Sequence, residues 1–143
     1  MKFENYMTLE FPSKSSNEAF ARSAVACFAA QLDPTVEELG DIRTAVSEAV
    51  TNSIVHGYPD RLGMVTVRCR ILKGQILDIV VKDKGVGIGD IEQARRPMFT
   101  TGGSDRSGMG FTIMESFMTE LEITSQAGKG TTVHMRRKLQ RRK

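Results

Sequence analysis

The sequence predicts one α/β domain built as a two-layer sandwich with a mostly antiparallel sheet. Three observations carry this. Period-2 alternation of apolar residues recurs in several short segments, and two long segments near the start carry the 3.6-residue period of helices. Tight glycine turns also join neighbouring strands, which makes them antiparallel hairpins. At 143 residues the chain is large enough to bury a core without disulfides or metals.

Taken in order, "YMTLEF" alternates and marks a strand over residues 5–11. Ser15 with Glu18 three residues on has capping-box spacing and opens a helix to about Leu32, with Phe20, Ala24, Cys27 and Phe28 as its apolar stripe. Asp33-Pro34 supplies an N-cap followed by proline at the first helical position. That second helix runs to His56, where Gly57 serves as C-cap and Pro59 forbids continuation. "MVTVRCRIL" and "QILDIVVKD" form a hairpin about Lys73-Gly74. A glycine-rich stretch covers 84–110, a helix follows from Gly110 to about Thr119, and two strands lie near 120–126 and 130–138.

Composition narrows the function classes. The 40% hydrophobic and 26% charged content is ordinary for a globular protein. No apolar run approaches the roughly 20 residues of a membrane span, and "MKFENYMTLEF" lacks the apolar core of a signal peptide. A cytoplasmic protein with no membrane partner is expected. Cys27 and Cys69 sit in apolar stretches without metal-ligand spacing and are expected to be buried free thiols. The net charge of +3 comes from the tail "RRKLQRRK", residues 136–143, which holds six of the 20 basic residues. The remainder has 14 basic against 17 acidic residues, so direct nucleic-acid binding is not expected. The tail reads as solvated and frayed.

Three segments are suited to chemistry. In "SEAVTNSIVHG", Glu48 and Asn52 stand four residues apart, opposite the face formed by Leu39, Ile42, Val46, Ala49, Val50 and Ser53. The residues around them are too apolar for a solvated helix surface, although a single hydrated Glu48 alone would also satisfy the pattern. In "VVKDKGVGIGD", Asp83 continues the inward period of Leu77, Ile79 and Val81, and Gly85 and Gly87 leave the backbone open to a flat ligand. A strand ending in an Asp turn is the simpler alternative. In "TTGGSDRSGMGF", glycines lead into a helix start whose N–H groups suit an anion, with Arg106 as a charge partner. Neither a P-loop nor a Rossmann glycine pattern occurs.

The order of these segments, closed by "GKGTTV", resembles the Bergerat-type ATP-binding fold shared by DNA gyrase, Hsp90, sensor histidine kinases and the mismatch-repair ATPases. "EAVTN" is similar to its N box, "DKGVGI" to the first glycine box and "SGMGF" to the second. The resemblance covers essentially the whole chain and implies a mixed sheet with helices on one face. Within this superfamily "NEAFAR", "SEAVTNSIVHGY", "ARRPMFTT" and "RSGMGFTIME" are similar to the bacterial anti-sigma serine kinases. A sensor histidine kinase would need a helical phosphoacceptor histidine, whereas His56 and His134 lie at a helix end and in a strand.

The resemblance implies an ATP- and Mg²⁺-dependent kinase that sequesters a sigma factor, sigma F foremost, and phosphorylates a serine of an anti-anti-sigma protein. A general-stress anti-sigma B kinase, or a non-catalytic ATP-dependent binding module, would carry similar motifs. Glu48 is expected to be the catalytic base, Asn52 a Mg²⁺ ligand, and Asp83 the acceptor for the adenine amino group. Gly85, Gly87 and Thr132 would line the adenine end, and Arg106, Ser107, Gly108 and Gly110 would close over the phosphates. Gly102-Gly103 stands where the family is expected to have Lys-Pro, so a lid lysine contact is not carried over. Arg22 is expected to be exposed, either paired with Glu18 or marking a partner surface, and a homodimer is implied.

Overall fold

The computed structural model describes residues 3–89 and 110–140. Its elements are β1 (Phe3–Pro12), α1 (Ser16–Ala29), a 3₁₀ turn (Ala30–Leu32), α2 (Val36–Asn52), a π-helical turn (Ser53–Gly57), β2 (Met64–Leu72), β3 (Ile76–Asp83), α3 (Gly110–Phe117), β4 (Glu120–Gln126) and β5 (Gly130–Lys138). The five strands form one sheet in the order β1-β2-β3-β5-β4. All four pairings are antiparallel, so the expected mixed sheet has no parallel pair among the described strands.

Alternation decides which residues meet the helices. Val65, Val67, Cys69 and Ile71 of β2, Leu77, Ile79 and Val81 of β3, and Val133 and Met135 of β5 are buried on one face. Against them pack Ile42, Val46, Ala49 and Val50 of α2, as the helical period requires. Each buried Val, Leu, Ile or Met side chain among them contributes about 1.5–3 kcal/mol by leaving water. Cys69 lies inside this core, and burial pushes its thiol up to about 12, with the charge of Asp78 adding to the effect.

Local signals placed α1 and α2 less well. Ser15 has helical backbone angles and no side-chain cap, so the expected capping box is absent. α1 buries Ala21, Val25 and Ala29, while Phe20 is 55% exposed and Cys27 is exposed. Small residues let α1 approach its neighbours closely, and this outweighs the aromatic stripe. Asp33 is no N-cap either: its φ of 50° is left-handed and ends the 3₁₀ turn. Thr35 caps α2 with Glu38 in a reciprocal capping box, Glu38 N–H to Thr35 Oγ1 at 3.0 Å and Thr35 N–H to Glu38 Oε1 at 2.9 Å.

The basic tail is not frayed through residue 140. Glu38 Oε2 accepts the Gln140 N–H at 2.8 Å, Leu139 is buried, and Arg137 Nη1 donates to Asp41 Oδ2 at 2.8 Å and to the Phe117 carbonyl at 2.5 Å. Burial favours the protonated form of Glu38, but these backbone and hydroxyl donors outweigh it and hold its carboxyl below the ordinary value. Residues 141–143 lie outside the described residues.

On the helix-free face, Asp78 is completely buried at the middle of β3. Arg70 Nε reaches its Oδ2 at 3.0 Å, while Arg136 Nε and His134 Nε2 reach Oδ1 at 2.7 and 2.5 Å. Burial alone would raise this carboxyl; the bonds from His134, Arg136 and Arg70 reverse the shift and hold it below the ordinary value. Phe3 covers Arg70, with the guanidinium 5.7 Å from the ring centroid.

Candidate functional site

The site is built where the end of α2, the end of β3 and the start of β5 converge. Asp83 is the last residue of β3, and on the core face it is buried to 4% exposure. Its Oδ1 accepts the Gly85 N–H at 3.0 Å and the Thr131 N–H at 3.3 Å, and the Ser53 hydroxyl hydrogen-bonds the same carboxyl. Burial, the larger influence, pushes the Asp83 carboxyl above its ordinary value, and these three donors offset part of the rise.

Three glycines let the chain close around this carboxylate. A Cβ on Gly57 would stand 2.9 Å from Asp83 Cγ, and one on Gly130 would overlap the Asp83 carbonyl. Gly57 is therefore not the expected left-handed helix cap; it is glycine because Asp83 occupies the side-chain position. The π turn brings it there by widening the last turn of the helix. Gly85 packs on the Gly57 carbonyl, which also accepts the Val86 N–H at 2.8 Å. Gly87 has φ +76° and packs on the Gln126 carbonyl. Packing of the chain on itself demands both glycines, beyond the open backbone read from the sequence.

The β3–β5 register sets two neighbouring threonines on opposite faces. Thr131 pairs with Asp83 and shares its face, whereas Thr132 pairs with Lys82 and lies on the helix-free face. Thr131 Oγ1 lies 2.7 Å from Ser125 Oγ, which accepts the Ile88 N–H at 2.7 Å. Tyr58, 6% exposed, braces the far side: its hydroxyl donates to the Met64 carbonyl and accepts the Lys84 N–H, each at 2.7 Å.

Along α2, Glu48 and Asn52 point toward the start of α3. The unfilled β-position of Gly110 lies 3.1 Å from Asn52 Nδ2 and 3.2 Å from Glu48 Oε1, so any other residue there would crowd both side chains. The polar side of α2, too apolar for a solvated surface, is thus covered in part by α3. Toward the other end, Arg22 of α1 pairs loosely with Glu18, Nε to Oε2 at 3.6 Å with the Arg22 side chain 37% exposed. Such an i,i+4 pair is worth about 0.3–0.5 kcal/mol. Arg106, Ser107 and Gly108 lie outside the described residues, as does Gly102-Gly103.

The chemistry available is specific. A buried acceptor at Asp83 suits an amino-bearing heterocycle, and Glu48 and Asn52 set a carboxylate and an amide at the other end of the site. Residues 11–137 match the family described as the histidine kinase-like ATPase domain. The anti-sigma F factor of Thermoanaerobacter sp. is 56% identical over 136 residues, 94% of each chain. That of Clostridium beijerinckii is 55% identical over 94% of this chain and 95% of the relative. The chain belongs to the anti-sigma F factor family.

Solved structures agree on the fold. RsbU and RsbW domains from Mycobacterium tuberculosis superpose with a TM-score of 0.70 at 20% identity, over 95% of this chain and 32% of that one. The mycobacterial sensor histidine kinase MprB gives a TM-score of 0.57 at 15% identity, over 91% and 96%. This anti-sigma F family member therefore carries an ATP-binding kinase-like domain, and no helix among its described residues is long and apolar enough to cross a membrane. Ser53, Gly57, Tyr58 and Ser125 were not singled out as site residues by the sequence, and Gly130 and Thr131 only as part of the closing segment. For Thr131 a signal existed, since strand parity from Val133 and Met135 places it inward.

Proposed function

We propose that this chain is a cytoplasmic serine kinase and sigma-factor inhibitor, acting as a single-domain homodimer. It binds sigma F and transfers the γ-phosphoryl group of ATP to a serine of an anti-anti-sigma protein. One observation supports the kinase half above others: Glu48 and Asn52, one helical turn apart, both face the Gly110 entry to α3. A carboxylate there accepts the serine proton as the hydroxyl attacks phosphorus. Asp83 accepts the adenine amino hydrogen. Guanine presents a carbonyl at that position and would meet the carboxylate acceptor to acceptor.

Asn52, whose side chain lies against Gly110 at the entry to α3, would hold the Mg²⁺ of a bound triphosphate. Mg²⁺, when bound, would neutralise phosphate charge and take its other ligands from phosphate oxygens and water. Asn52 supplies a neutral oxygen, and Gly110, with Arg106, Ser107 and Gly108, would contact phosphate oxygens.

Incubating purified protein with labelled Mg-ATP and candidate anti-anti-sigma proteins tests the reading. One acceptor should gain phosphoserine, and Glu48→Gln should lose transfer by about 10²-fold or more while still binding nucleotide. Full activity in that variant would remove Glu48 from its role. Nucleotide binding without transfer to any acceptor would favour a non-catalytic binding module.

A further inference from the structure

Arg137 lies near the end of β5 on the same face as Val133 and Met135, the face that bears the helices. Its Nη1 donates to two groups at once: the Asp41 carboxylate early in α2, at 2.8 Å, and the Phe117 carbonyl at the end of α3, at 2.5 Å. At the other end of these two helices, Gly110 opens α3 against Glu48 and Asn52. α3 therefore runs opposite to α2. The spacing matches, since Asp41 to Glu48 and Phe117 to Gly110 are both seven positions, about 10.5 Å of helical rise. One guanidinium thus fixes the register of α3 along α2. The Phe117 carbonyl is one that a helix end leaves without an internal partner, and a cation there also meets the negative end of the helix dipole. Arg137 and Asp41 are only 19% and 21% exposed, so the pair is partly shielded from salt. On either side of Arg137 the chain leaving α3 is bonded to β5, Thr119 N–H to the Arg136 carbonyl at 2.8 Å and Lys138 N–H to Thr119 Oγ1 at 3.0 Å. Those bonds hold α3 to the sheet, whereas Arg137 carries the link on to α2.

We infer that Arg137 is a positioning residue for the phosphate end of the nucleotide site, acting through α3. The inference rests on the reading above, in which Glu48, Asn52 and Gly110 meet the triphosphate. Phe111 and Met114 hold α3 in the core, but apolar contacts are non-directional and do not by themselves fix how far one helix slides along another. The two charge-assisted bonds from Arg137 Nη1 are directional and do fix it. Without them α3 is free to shift along α2, and Gly110 leaves its place beside Glu48 and Asn52. The adenine end has no such dependence, because Asp83 is held by Gly85, Thr131 and Ser53. Loss of Arg137 therefore weakens the hold on phosphates and spares the hold on the base.

Titration with Mg-ATP and with AMP, which shares the base but lacks the β- and γ-phosphates, separates the two ends. Arg137→Met should raise the Kd for Mg-ATP about tenfold while the Kd for AMP stays within about twofold. Arg137→Lys keeps a charged donor and should recover most of the loss. Asp41→Asn, a milder change that keeps an acceptor oxygen, should show the same selectivity at smaller size, and it carries the test if Arg137→Met does not fold. Arg70→Met breaks a cation–carboxylate contact on the helix-free face and should leave the ratio of the two Kd values within about twofold of the parent. Equal weakening of both nucleotides, no weakening of either, or a matching change of ratio in Arg70→Met would overturn the inference while leaving the phosphate reading intact. A parent protein that binds Mg-ATP no more tightly than AMP would overturn both.

Discussion

The carbonyl of Gly57 occupies the place where a Cβ on Gly85 would stand, so the end of the π turn and the loop after β3 touch backbone to backbone. The obstacle is main chain and cannot swing aside as a side chain would. Gly85→Ala should therefore destabilise the protein by about 3 kcal/mol. Gly89→Ala, at a position with nothing within 4 Å, should stay within about 0.5 kcal/mol of the parent. Urea unfolding of the two variants checks the contrast, and equal midpoints would contradict it.

Adjacent threonines on β5 should behave differently. Thr131→Val removes the hydroxyl 2.7 Å from Ser125 Oγ, beside Asp83, and should weaken ATP binding by about 1 kcal/mol. Thr132→Val lies across the sheet and should leave the Kd unchanged. Calorimetric titration of both variants with ATP distinguishes them.

Asp83 and Asp78 should give stability profiles of opposite sign against pH. For Asp83 the folded carboxyl titrates above its ordinary value near 3.8, because burial disfavours the charge. Its native state holds the proton more tightly, so its contribution is full below the unfolded value and is lost as pH rises through the folded one. Asp83→Asn should lack this loss in nucleotide-free protein. Denaturant midpoints measured from acid to neutral pH would reveal it.

Asp78 titrates below its ordinary value near 3.8, since bonds from His134, Arg136 and Arg70 outweigh burial. Its contribution is present above the unfolded value and is lost as pH falls through the folded one. Asp78→Asn should cost about 2–3 kcal/mol at neutral pH, less than a fully buried pair because Arg70 and Arg136 are 21% and 25% exposed. The gap to the parent protein should narrow in acid; a constant gap would argue against an electrostatic origin.

Much of this architecture is legible from residue order. The β2–β3 hairpin and the polar side of α2 follow from alternation and helical period, because each is a local pattern enforced by one buried face. The start of α2 was legible too, in Thr35-x-x-Glu38, but the neighbouring Asp33-Pro34 offers a competing signal that only the left-handed backbone at Asp33 eliminates. The stripe of α1 is not local: Ala21, Val25 and Ala29 are inside because of how near the neighbouring elements come. Asp83 was marked by its strand, yet its ring of Gly57, Gly85 and Gly130 is assembled from segments up to 73 positions apart by the fold alone.

The bonds from Glu38 to Gln140 and from Asp41 to Arg137 span 102 and 96 positions. Contacts of such separation form late, since a long loop must close before they contribute. During synthesis, α2 emerges well before its partners at the far end of β5. Until residue 140 clears the ribosome, Glu38 and Asp41 have no way to make these bonds, and the face of α2 that carries Glu48 is left without its last brace. Completion of the fold therefore waits on translation of this segment, and a nascent chain stalled before it would offer an unfinished domain to chaperones.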